Sequence, residues 1–122
     1  MTNIRKIFAG LGLAFATTLI SSQAVAQVHK ASWYGFKPWD GRKTASGEVF
    51  RTYGLTTASN THKMGTRLKV TNVVNGKSVV VKVTDTGGFK KYGRTLDLSY
   101  GAFSKIANPK VGVTKVKIEV LK

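Results

Sequence analysis

The sequence predicts an all-β fold, a small closed barrel of about six short strands with one or two short helices. Three observations predict it. Two β-branched runs, Arg67 to Val74 and Lys77 to Thr84, flank Asn75-Gly76, the strongest short-range signal for a hairpin. The run from Val113 to Leu121 alternates, with Val116, Ile118 and Val120 predicted to face in and Lys115, Lys117 and Glu119 out. Nowhere do strands alternate with helices in a βαβ rhythm, and the chain has no cysteine, so a small domain must rely on packing and closure rather than disulfides.

Taken in order, the first segment lies outside that barrel. Arg5 and Lys6 precede a mostly apolar stretch from Ile7 to Ile20, and Ala24-Val25-Ala26 has the small-x-small form of a cleavage site. This is the pattern of a secretory signal peptide over 1–26, leaving a domain over 27–122 that is exported, with no membrane anchor after cleavage. With 122 residues the chain holds one domain at most.

Val28 to Gly35 reads as a first strand, and Phe36 to Lys43, with Pro38, Asp40 and Gly41, as a loop. Trp33, Tyr34, Phe36 and Trp39 crowd together here. Trp33 is assigned to the core, and Trp39, among turn residues, to an exposed rim on which a sugar ring could stack. Leu55 to Ala58 reads as a short strand and Ser59 to Gly65 as a polar loop. In the hairpin, Asn75-Gly76 predicts a two-residue type I′ turn, and Val79, Val81 and Val83 share one face of the second arm. That arm delivers Asp85 onto Gly87-Gly88, where glycines let a ligand approach the backbone. Gly87 to Gly93 is a glycine- and lysine-rich loop. Leu96 to Leu98 is extended, and Ser99 is the predicted N-cap of a helix with Ala102, Phe103 and Ile106 on its apolar stripe. Asn108-Pro109 stops it.

Charge is the other strong bound. The chain has 20 Lys+Arg against five Asp+Glu, and all but two of those cations lie beyond Ala26. Such an excess points to a polyanionic partner. An exported protein meets envelope polyanions first: lipopolysaccharide phosphates, teichoic acids or peptidoglycan carboxylates. Nucleic-acid binding at this charge would be unspecific. His29 and His62 have no metal-ligand spacing, no Ser-His-Asp set is evident, and neither metal nor cofactor is expected.

The ordered motifs Ala31-Ser-Trp-Tyr-Gly35, Thr44-Ala-Ser-Gly-Glu48, Leu55-Thr-Thr-Ala58, Val70-Thr-Asn72, Val83-Thr-Asp85-x-Gly87 and Leu96-Asp97-Leu98-Ser99 resemble the rare lipoprotein A family. The resemblance covers nearly all of 27–122 and implies a six-stranded double-psi β-barrel, related more distantly to expansins and barwin-like proteins. It further implies cleavage of peptidoglycan glycan strands, with a preference for those without stem peptides; separately, the chain is expected to be a monomer. Position by position, Asp85 falls on the family's catalytic aspartate, Glu48 on an acid of the same groove, and Asp97 on an aspartate that expansin-like relatives need. Tyr34, Trp39, Ser59, Gly87, Arg42, Lys90 and Arg94 are the candidate substrate contacts. Ser59 stands where the family usually has histidine, Thr86 where it has arginine, and Gly88 where it has proline.

A lytic transglycosylase needs one carboxyl, which protonates the glycosidic oxygen and then takes the proton of the muramic 6-hydroxyl. A glycosidase needs two at a set separation. With five acids available, the one-carboxyl route fits more easily, with Asp85 as acid/base. A wall-binding module without catalysis, in the manner of expansins, and a secreted protease inhibitor or effector are the competing readings.

Overall fold

The computed structural model describes residues 27–122; the predicted leader lies outside the described residues. Six strands are present: β1 (His29–Tyr34), β2 (Thr56–Ser59), β3 (Arg67–Asn72), β4 (Ser78–Asp85), β5 (Leu96–Ser99) and β6 (Val113–Leu121). They close into a barrel in the order β1-β5-β2-β4-β3-β6. Pairing is antiparallel except for β1 with β5 and β2 with β4, which are parallel. Among the described residues, one helix, α1 (Tyr100–Ile106), and two 3₁₀ turns, Phe89–Tyr92 and Pro109–Val111, complete it.

The barrel fills by strand alternation. Ala31, Leu68, Val70, Val79, Val81, Val83, Leu96, Leu98 and Val116 point in, and α1 adds Ala102, Phe103 and Ile106. Ser99 caps α1 as predicted, its hydroxyl accepting from the Ala102 amide at 3.1 Å. Trp33 packs against this core, its indole N–H donating to the Pro109 carbonyl at 2.9 Å. Gly101 has a packing reason: a Cβ there would stand 2.7 Å from the Tyr53 backbone.

Two expectations are corrected. The hairpin is present, but its turn is not type I′. Asn75 does not take positive φ, and Thr71 pairs with Ser78, so the loop runs over 73–76, closed by the Gly76 amide on the Asn72 carbonyl at 2.8 Å. The asparagines are used elsewhere: the amides of Asn72 and Asn75 both donate to the Ile106 carbonyl, at 2.8 and 3.0 Å, satisfying the end of α1. On β6, Val116 is buried and Ile118 partly so. Val120, opposite Leu68, is 49% exposed one residue from the strand end.

One irregularity positions the site. Strict alternation along β4 would put Asp85 on the same face as Val81 and Val83, inside the barrel. Pairing with β2 instead shifts between Thr57 and Ala58: Thr57 faces Val83, but Ala58 faces Asp85. Thr84 is the extra residue of a β-bulge, and Val83 and Thr84 are both buried in succession. The bulge reverses the parity of the last residue. Asp85 therefore leaves the core face and points outward.

Candidate active site

Registers across the sheet place Asp85 in a row of outward-facing residues. Asp85 of β4 pairs with Ala58 of β2, Ala58 with Asp97 of β5, and Asp97 with Ser32 of β1. The two aspartates thus stand on one face with an alanine between them, about 10 Å apart along the sheet. Ala58 keeps the space above it open. A cavity of about 370 Å³ lies there, bounded by Asp85, Asp97, Ala58, Tyr34, Gly87 and Arg94, among others. A second, of about 260 Å³, lies on the other side of Asp85, lined by Arg42, Lys43 and Thr44. Tyr34, Trp39, Asp85 and Thr86 line both, so Asp85 sits where the two meet in one trench.

The Asp85 carboxylate is held on both oxygens. Oδ1 accepts from the backbone amides of Ala45 (3.1 Å) and Thr86 (2.9 Å), and Oδ2 from the Tyr34 hydroxyl (3.2 Å). The Ser46 amide donates to the Thr84 carbonyl at 3.0 Å, docking the 44–48 loop over the end of β4. Tyr34 is fixed by stacking on buried Phe50, with ring centroids 4.5 Å apart, and by Trp39 edge-on at 6.1 Å. Burial and then the Asp85 charge push the Tyr34 hydroxyl well above the usual tyrosine range, so it remains a donor. The loop carrying Trp39 is pinned by Asp40, whose Oδ1 accepts from the Thr52 amide at 2.6 Å. Trp39 itself is 46% exposed, a rim as its turn context suggests.

Asp97 behaves differently. Burial pushes its carboxyl above the ordinary carboxylate range; the Ser32 hydroxyl, donating at 2.8 Å, and Arg94 pull it back, and the Asp85 charge raises it further. The raised value means that folding favours the protonated form. That contribution is fully present below the usual carboxylate range and is lost as pH rises through the folded pKa. Asp97→Asn keeps an acceptor for Ser32 but cannot ionise. It should raise the melting temperature at pH 7 and leave it nearly unchanged at pH 3; a lower melting temperature at pH 7 would contradict this account.

Other predicted contacts divide. Gly87 and Arg94 line the larger cavity and Arg42 the smaller. Lys90 borders an adjoining pocket with Asn60 and Arg94. Glu48 lines neither cavity; its carboxylate pairs with Lys82 at 2.8 Å, outward on β4, the one ion pair among the described residues. Ser59 is a correction. It falls in β2 on the inward parity of Thr57, is 1% exposed, and its hydroxyl accepts from the Thr61 and His62 amides and meets His62 Nδ1 at 3.0 Å. Sequence reading missed Ser32, which orients Asp97, and Asn60. Asn60 clamps the glycine corner from both sides, donating to the Gly87 carbonyl and accepting from its amide.

A family model described as lytic transglycolase matches residues 26–118. The endolytic peptidoglycan transglycosylase RlpA of Vibrio cholerae is 47% identical over 92 residues, covering 75% of this chain and 34% of that protein. Its counterpart in Pseudomonas aeruginosa is 42% identical over 98 residues, covering 80% and 28%. The chain thus spans about a third of the length of the curated relatives it matches. Among solved structures, an expansin of Clavibacter michiganensis in complex with cellohexaose has the same fold, with a TM-score of 0.62 at 19% identity over 79% of this chain and 51% of that one.

Proposed function

The chain belongs to the lytic transglycolase family, and on that premise we propose that it is an exported, envelope-associated domain that cleaves peptidoglycan glycan strands to leave 1,6-anhydro ends. The observation that carries this reading is the bulge that turns Asp85 out of the core and into the middle of a trench. Its two oxygens are not equivalent. Oδ1 is taken by two backbone amides, whereas Oδ2 meets only the Tyr34 hydroxyl and has room for a further partner. In the proposed reaction Oδ2 carries the proton. It passes to the glycosidic oxygen as the bond from C1 of the muramic residue breaks. The same oxygen then takes the proton of the 6-hydroxyl, whose oxygen bonds to C1 and closes the anhydro ring without consuming water. Asp97, on the same face, supplies a nearby acid rather than a second reacting group.

The cations Arg42, Lys43, Lys91 and Arg94 border the trench. Glycan without stem peptides exposes a lactyl carboxylate on each muramic residue, which supports the preference for stripped strands. Incubation with peptide-stripped sacculi should release fragments with 1,6-anhydro ends by mass spectrometry; reducing ends alone would overturn the reading. Tyr34→Phe keeps the ring and removes one hydrogen bond to the reacting carboxyl. It should lower kcat by about ten- to a hundredfold with KM within about twofold, measured on the same strands.

A second reading, adhesion without cleavage, has one observation in its favour. Among the described residues, no histidine lines either cavity.

A further inference from the structure

The outward row does not end at Ser32. Ser32 of β1 pairs with Val113 of β6, so the line Asp85–Ala58–Asp97–Ser32–Val113 crosses five strands, roughly 19 Å around the barrel at the usual strand spacing. Val113 lies in a third cavity, about 740 Å³ and larger than either of those beside Asp85. Tyr92 and Arg94 line both this cavity and the one at Asp85, so the two adjoin.

Its lining sets three cations, Lys30, Lys115 and Arg94, among the apolar Val74, Tyr92 and Val113. Lys30 and Lys115 stand directly opposite each other on β1 and β6, and like charges so placed repel. The single ion pair among the described residues lies elsewhere, between Lys82 and Glu48. Arg94 is the third cation; its Nε is buried without a partner, and its guanidinium stands 5.3 Å from the Tyr92 ring centroid. Tyr92 is 66% exposed and Val74 83% exposed. An exposed ring and valines suit the apolar face of a sugar, while repelling lysines suit a carboxylate between them.

We infer that this cavity is a distal subsite for the same glycan strand, holding sugars several units from the scissile bond, with a lactyl carboxylate between Lys30 and Lys115. The inference rests on the proposed function. It makes tight binding depend on strand length, because only a long strand reaches from Asp85 to Val113.

The test is calorimetric titration of long peptide-free glycan and of a muramic-containing disaccharide into three proteins. These are the wild type, the Lys30→Gln, Lys115→Gln double variant, and a Lys69→Gln, Lys117→Gln variant that removes the same charge from residues outside this cavity. The first variant should bind the long strand about fivefold more weakly and the disaccharide as well as wild type does. The second should match wild type on both. Relief of repulsion should leave the melting temperature of the first variant unchanged or higher. Wild-type affinity for long strands in the first variant, or an equal loss in both, overturns the subsite while leaving the proposed function standing. If wild type binds neither ligand, the proposed function falls and the subsite with it.

Discussion

Asp85→Asn is expected to lower the rate of 1,6-anhydro product formation by about 10²- to 10⁴-fold while leaving glycan affinity within about twofold. The amide is nearly the same shape as the carboxyl. Its oxygen still accepts from the Ala45 and Thr86 amides, so the 44–48 loop stays docked and the trench keeps its form. What is lost is the ability to give a proton to the glycosidic oxygen and take one back. Single-turnover release of anhydro fragments, with binding measured separately, distinguishes this from a structural defect. Activity that survives the change moves the catalyst elsewhere, and Asp97, on the same row, becomes the residue to replace.

Inserting one alanine between Thr84 and Asp85 should be as damaging while leaving every acid in the chain. One residue further beyond the bulge, the aspartate takes the parity of Val81 and Val83 and its carboxylate turns toward a core of valine and leucine. Burying that charge without its partners costs several kcal/mol, a large share of the roughly 5–15 kcal/mol that hold a domain together. The insertion variant should melt far lower or fail to fold, and whatever folds should release no anhydro product. Thr84→Val is the companion. The Thr84 Oγ1 is buried with no hydrogen-bond partner, so an isosteric methyl should leave stability unchanged or raise it by about 1 kcal/mol, with activity kept. An insertion variant with wild-type melting temperature and activity would refute the role given to the bulge.

The barrel was legible because it depends on patterns local to the sequence. Alternation in 79–83, the Ser99 cap and the Asn108-Pro109 stop each act over a few residues, and the structure keeps them. The hairpin turn was misread because Asn72 and Asn75 answer to α1, more than 30 residues away, rather than to their own turn. Asp85 was found beside its glycines, but strict alternation would have buried it. A bulge is a property of pairing, and Thr84 alone does not announce one. The places of Glu48 and Ser59 were not legible, for opposite reasons. The Lys82 that takes up Glu48 comes from a distant strand, whereas the burial of Ser59 follows from a parity shared with Thr57 once β2 is known to extend through it. The row from Asp85 to Val113 needs the order β4-β2-β5-β1-β6, which no stretch of chain encodes by itself.

The most direct measurement is a crystal structure of Asp85→Asn with a peptide-free glycan long enough to cross five strands. The account predicts a strand lying along the row from residue 85 to Val113, with a glycosidic oxygen within about 3.2 Å of the residue 85 side chain. A glycan bound on another face, or lying parallel to the strands with residue 85 untouched, would contradict it.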